Sequence, residues 1–310
     1  MNEFQDIAAR PYSVGEILTK SLRGVFSRRF WSYFLPPLIV LLASFGFYLL
    51  LADEFRDFMQ ASMNLEANQD SKALGSSFFG EFWHAWRMIM FGSFVQSILY
   101  VIVAIYVLDR MRLDILGETA PPGDSLRLAA DPSRVLSLLL SGFLALIAIW
   151  IGGMMLLIPG LCLAVVFSLL PACTAFSEKR FAFTFAEPFE LVSGKIGKTF
   201  GVMLTLIFAA FVISMLLVMP TILDMVGKSA LSAAADADAA LLADYQDLFS
   251  PRMLLLQIPF GCLGILFNLV IGFATAVMYL NYKYAPKTAP FGGDPGTQDS
   301  GSDGDALGRG

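Results

Sequence analysis

One histidine, His84, and three cysteines, Cys162, Cys173 and Cys262, are all the chain offers for imidazole or thiolate chemistry. Acid–base work by paired histidines and multi-histidine metal binding each need a second imidazole, so both are excluded. The cysteines stand singly in apolar runs, where a thiol reads as a small buried hydrophobe. Cys162 and Cys173 lie eleven residues apart, about 16 Å of helical rise, too far for a disulfide. Ser93 has no histidine on another helix to activate it as a nucleophile. The remaining polar side chains inside apolar runs are Gln96, Gln257, Asn268 and several serines and threonines. Such groups join helices by hydrogen bonds. Ion-coupled transporters carry ionisable residues within their helices, and here Asp224, close to the end of its run, is the one candidate. The residue inventory therefore predicts no catalytic residue, no cofactor and no metal site.

These residues sit in a chain that is 56% hydrophobic and 15% charged, far from the balance of a soluble domain. The net charge of −5 argues against nucleic acid as a partner. Residues 135–176 contain no charged side chain, and two crossings of a hydrocarbon layer of about 30 Å need about 40 helical residues. The stretch predicts a helical hairpin that turns at Pro159-Gly160, because proline cannot continue a helix interior and glycine tolerates turn geometry. The whole pattern predicts an all-α integral membrane protein with six transmembrane helices. The crossings fall at about residues 31–52, 88–108, 135–157, 161–176, 201–225 and 253–280, within a membrane domain of residues 1–285. About 30 residues precede the first run and no A-x-A cleavage pattern follows it, so that run is expected to remain as an anchor. Trp31 and Tyr33 are expected as interface anchors, and Pro36-Pro37 in the first turns of their helix. Asp124 is expected to cap a short helix, and Asp131-Pro132 to supply the N-cap and first residue of the third crossing. The alanine-rich acidic stretch around residues 233–238 reads as a helical connection. Residues 286–310, rich in Gly, Asp and Ser, read as a disordered tail.

Two segments outside the crossings carry apolar stripes beside basic residues, the pattern of an amphipathic helix lying on an anionic membrane face, with packing of the stripe on protein as the competing reading. In the first, Ser13-Val14-Gly15-Glu16 forms a capping box. Val14, Leu18, Leu22 and Val25 form the stripe, and Lys20, Arg23, Arg28 and Arg29 lie elsewhere. In the second, Phe181, Phe185, Phe189, Val192, Ile196 and Phe200 fall on one helical face, divided near Pro188, with Lys195 and Lys198 among its cations. The lipid-facing candidates are Arg23, Arg28, Arg29, Phe181, Phe185, Phe189, Lys195 and Lys198. Counted over alternate connections, Lys and Arg divide 16 to 5. The positive-inside rule puts the richer side, with both termini and both amphipathic segments, in the cytoplasm.

Three stretches resemble one family. Arg10-Pro11-Tyr12-Ser13-Val14-Gly15-Glu16-Ile17-Leu18 resembles its opening motif. Leu156-Leu157-Ile158-Pro159-Gly160-Leu161 resembles its hairpin, and Phe189-Glu190-Leu191-Val192-Ser193-Gly194-Lys195 its later helix, with Pro188-Phe189 where Ser-Trp is usual. The family is the membrane domain associated with bacterial glycerophosphoryl diester phosphodiesterases, found also as stand-alone six-helix inner-membrane proteins. The resemblance spans roughly residues 10–280 and implies a multi-pass protein of the bacterial inner membrane. It does not carry the phosphodiesterase activity, because the catalytic barrel with its paired histidines and acidic metal cluster is missing from this sequence. The expected function is non-enzymatic: a scaffold or lipid-associated accessory of the envelope, with membrane lipids and other membrane or cytoplasmic proteins as partners. The alternative is the membrane subunit of a transport system that docks a cytoplasmic partner. Glu187–Gly194 resembles the coupling loop of ABC permeases, with its glycine one residue late.

Overall fold

The computed structural model describes residues 3–67, 71–177, 182–232 and 251–286. Among these residues the regular elements are eleven helices: α1 (Glu3–Ala9), α2 (Val14–Val25), α3 (Phe30–Ala67), α4 (Ser71–Leu116), α5 (Pro122–Ala129), α6 (Pro132–Met155), α7 (Leu157–Phe167), α8 (Leu170–Phe176), α9 (Ala182–Val192), α10 (Ile196–Ser232) and α11 (Pro251–Tyr284). Among the described residues, six stretches are long and apolar enough to cross a membrane: Phe30–Phe47, Trp86–Leu116, Pro132–Met154, Ile158–Phe176, Ile196–Met215 and Ile258–Tyr284. Large apolar side chains cover their outward faces, among them Phe91, Phe94, Phe143, Trp150, Phe208 and Phe211. A surface of that kind and extent is stable in hydrocarbon and aggregates in water. The protein is an all-α, multi-pass membrane protein.

Its axis is the last third of α11. Every residue from 273 to 282 is buried, so this segment is enclosed all round, as a helix apolar on every face must be. Around it pack α2, α3, α4, α8, α9 and α10. The principal core joins Ile7, Tyr12, Ile17 and Val25 of the N-terminal arm to Met111 and Ile115 of α4, Cys173 and Phe176 of α8, and Phe273 to Tyr282 of α11. Among the side chains described, those buried on α4 (residues 105–115) and α10 (residues 199–206) fall in the parts nearest this arm. A second cluster, built on Ile105, Leu138, Ala145, Phe167 and Leu170, fills the space between α4, α6, α7 and α8.

Several local expectations are met. Ser13 caps α2: its Oγ accepts from the Glu16 N–H, and Glu16 reaches back to the Ser13 N–H at 2.8 Å. Asp131 caps α6 by accepting from the Ser133 N–H at 3.0 Å, with Pro132 as the first helical residue.

Others are corrected. The hairpin turns at Leu156, whose backbone is extended (φ −160°, ψ 134°), and not at Pro159-Gly160. Pro159 is the third residue of α7, where a missing N–H costs nothing because first-turn donors lack intrahelical partners. Gly160 instead permits a close helix crossing: a Cβ there would stand 2.5 Å from the Gly153 nitrogen. The fourth crossing is interrupted at Ser168-Leu169 between α7 and α8, so Cys162 and Cys173 lie on different helices. Cys162 is exposed and Cys262 half-buried, and only Cys173 is the buried thiol expected. Residues 53–87, expected as a polar, acidic connection with room for a helix, are helical over 53–67 and 71–87 and continuous with the crossings on either side. No proline occurs between residues 38 and 120, and propagation adds one hydrogen bond per residue until something breaks it. Pro36 and Pro37 are the seventh and eighth residues of α3, beyond its first turn. Pro121, not Asp124, is the N-cap of α5, with Asp124 in its first turn. Tyr33 is fully buried with its ring edge-on to Phe273, while Trp31 is exposed as expected. The acidic stretch around residues 233–238 lies outside the described residues, as does all but the first residue of the expected tail.

Candidate functional site: the polar junction at the end of α11

Helix α11 ends in Tyr279-Leu280-Asn281-Tyr282-Lys283-Tyr284. Its polar members reach three different partners: Asn281 projects from another side of the helix than Tyr279 and Tyr282, which are three residues apart and neighbours on one face. Asn281 turns toward the N-terminal arm. Its Oδ1 accepts from the Tyr12 N–H at 3.1 Å, and its Nδ2 donates to the carbonyls of Ile7 and Arg10, each at 2.8 Å. One buried amide thus satisfies three backbone groups where the arm runs from α1 into α2. The arm also braces itself. The Tyr12 hydroxyl donates to Asp6 Oδ2 at 2.8 Å, and the Lys20 ammonium pairs with the same oxygen at 2.9 Å while lying over the Tyr12 ring. The bond from Lys20, seconded by Tyr12, holds the Asp6 carboxyl below its ordinary range. Glu16 is held at about 2, below its ordinary range, by the Ser13 backbone N–H and then by the Arg10 guanidinium and the Ser13 hydroxyl.

Tyr282 turns toward the start of α10. Its hydroxyl shares a hydrogen bond of 3.0 Å with Thr199. Lys195 donates to the Tyr282 carbonyl at 3.1 Å and lies 4.6 Å from the centre of the Tyr282 ring. A cation at the end of α11 meets carbonyls that lack intrahelical partners and the negative end of the helix dipole. Tyr279 turns toward α9. Lys283 donates to the Tyr279 hydroxyl at 2.7 Å, and that hydroxyl donates to Glu187 Oε1 at 2.9 Å. Glu187 is buried, and its Oε2 has no hydrogen-bond partner among the described residues. Neighbouring helix ends are closed in the same manner. Arg134 donates to the Ala175 carbonyl at the end of α8, Arg110 donates to the Ala120 carbonyl beyond α4, and Arg29 pairs with Asp114 near the end of α4.

The residues singled out from sequence divide in this setting. Arg23 and Arg28 are exposed and make no ion pair among the described residues. Arg29 is exposed but engaged with Asp114. Phe185 is half-buried 4.8 Å from the Phe167 ring, in the second core cluster. Phe189 keeps substantial exposure, edge-on to Phe167 at 5.2 Å. Phe181 lies outside the described residues. Lys195 is turned inward onto Tyr282 and Lys198 is half-buried. The phenylalanine stripe is divided at Gly194, whose positive φ of 73° ends α9, and not at Pro188, which is inside α9. Ile196 and Phe200 therefore belong to α10. Helix α9 itself packs on α6, α7, α8 and α11; Phe185 on α9 and Lys195 beyond its end each make internal contacts. On α2 the buried face is Ile17, Ser21 and Val25, and Leu22 of the expected stripe is exposed. Gln96 is half-buried on α4. Asn268 is exposed on α11 and makes no hydrogen bond among the described residues, where an interhelical one was expected. The Gln257 side chain lies outside the described residues.

Sequence reasoning missed Asn281, Tyr279 and Lys283, and named Glu187 only as the start of a coupling-loop resemblance. A signal was present: an asparagine and two tyrosines packed into the last turns of an apolar run require hydrogen-bond partners. No family model, curated protein or solved structure matches the chain.

Proposed function

We propose that the chain is a non-enzymatic protein of the bacterial inner membrane, with both termini in the cytoplasm, acting as a scaffold or lipid-associated accessory of the envelope. The observation that carries the reading is the use of polar groups at the junction. Asn281, Lys195, Arg134 and Arg110 are spent on backbone carbonyls and N–H groups of other segments. Groups used in this way fix helix ends; groups awaiting a substrate converge on open space. The 16-to-5 division of basic residues supports the orientation, and the resemblance of residues 10–280 to stand-alone inner-membrane proteins supports the location.

The transport alternative draws on the coupling-loop resemblance at Glu187. The burial of that carboxylate against Tyr279 disfavours it, because a docking loop presents its charged residues outward. Purification of the full chain in mild detergent, followed by protein and lipid mass spectrometry, tests the proposal. Retained anionic lipid without a stoichiometric ATPase is the expected result. A stoichiometric ATPase would overturn it in favour of the transport subunit.

A further inference from the structure

Helices α2 and α3 meet in an elbow at residues 26–29 that is rigid from beneath. Val25 is fully buried, and Gly24 lies directly against the Phe273 ring. The Phe26 N–H donates to the Leu22 carbonyl, the Ser27 N–H to Gly24 and the Phe30 N–H to Ser27. Arg29 is exposed but paired with Asp114. Its neighbours Arg23 and Arg28 face outward and make no ion pair among the described residues. The same elbow exposes apolar rings. Phe26 is 64% and Trp31 65% exposed. Phe26 stacks on Phe30 at 6.0 Å and Phe30 on Phe34 at 5.1 Å, a ladder leading from the elbow down α3.

Depth fixes what can meet this surface. The first membrane-spanning stretch starts at Phe30, so the elbow lies where hydrocarbon gives way to water. The 38-residue helix α3 also starts there, with its Phe30 and Ser32 N–H groups bonded to the Ser27 and Arg29 carbonyls. The two exposed guanidiniums suit a phosphate, which arginine binds in bidentate fashion. Aromatic rings just below suit the ester and acyl region of a lipid.

We propose that the α2–α3 elbow is a binding site for an anionic phospholipid, its phosphate held by Arg23 and Arg28 and its chains lying along Phe26, Phe30 and Trp31. This deepens the lipid-associated reading above and rests on it. The preformed elbow means that little ordering accompanies binding.

The test uses the full chain in neutral detergent, with thermal unfolding followed as phosphatidylglycerol or phosphatidylcholine is added. Phosphatidylglycerol should stabilise the wild type at lower concentration than phosphatidylcholine, and increasingly so at low salt. R23Q/R28Q should weaken that response about 30-fold, the effect of two basic residues at an anionic leaflet. R23K/R28K should retain part of it, and R127Q, a change of another exposed arginine, should leave it unaltered. A wild type without preference between the two lipids would overturn the lipid-associated reading itself. A preference that survives R23Q/R28Q would overturn this site alone. Stabilisation by inorganic phosphate equal to that by phosphatidylglycerol would also overturn it, since the site would then take a free anion.

Discussion

Replacing Asn281 with alanine should release the N-terminal arm from α11. The substitution removes three hydrogen bonds at once: from the Tyr12 N–H, and to the Ile7 and Arg10 carbonyls. Tyr12 and Ile7 are buried, so each of their stranded groups costs about 1–3 kcal/mol. Arg10 is exposed and its carbonyl can recover water, so it adds little. The sum is roughly 2–6 kcal/mol against the docked arm, and even the lower figure raises the open population about 30-fold. Amide hydrogen exchange of the full chain in detergent reads this directly. Protection at Tyr12 and along α1 and the first turn of α2 should fall by about 30-fold or more, while α6 and α7 keep theirs. N281D is the informative companion. Aspartate keeps an acceptor for the Tyr12 N–H but sets a carboxylate against two carbonyls, so it should destabilise the arm at least as much as alanine. Exchange at Tyr12 within twofold of wild type in N281A would refute the reasoning and show that apolar packing of Ile7, Tyr12 and Ile17 alone holds the arm.

Three further outcomes are expected. G160A forces a methyl to within 2.5 Å of the Gly153 backbone and should cost about 1–3 kcal/mol in detergent unfolding, whereas G142A, with open space around its Cβ, should not; equal stability of the two would remove the close α6–α7 crossing. The Glu16 carboxyl titrates at about 2 in place of an ordinary 4.5, a lowered value, so its support for α2 is complete above about 4.5 and is lost as pH falls toward 2. The difference in unfolding midpoint between wild type and E16Q should accordingly be constant near neutrality and vanish in acid, and a gap that widens in acid would contradict the sign. Reporter fusions after Asp70 and Ala240 should report the outer compartment and a fusion after Lys287 the cytoplasm; an external Lys287 would break the six-crossing topology.

The sequence by itself determined what depends on neighbours along the chain and on the solvent. Residues 135–176 carry no charge, and hydrocarbon admits such a run only as helix, so membrane crossing needed no tertiary information. The Ser13–Glu16 box and the Asp131-Pro132 start were legible for the same reason: donor and acceptor lie within three residues of each other. Tertiary structure decided the rest. An apolar stripe has the same period whether it meets lipid or protein, so Phe185 looked like a membrane contact until Phe167 was found against it. Proline marks both a turn and a first helical turn, so Pro159 could not say that the chain turns at Leu156. Asn281 finds its partners 269 to 274 residues away, and Glu187 meets Tyr279 across 92. Separations of that size leave no local pattern, because a hydrogen bond requires proximity in space and the folded bundle alone supplies it.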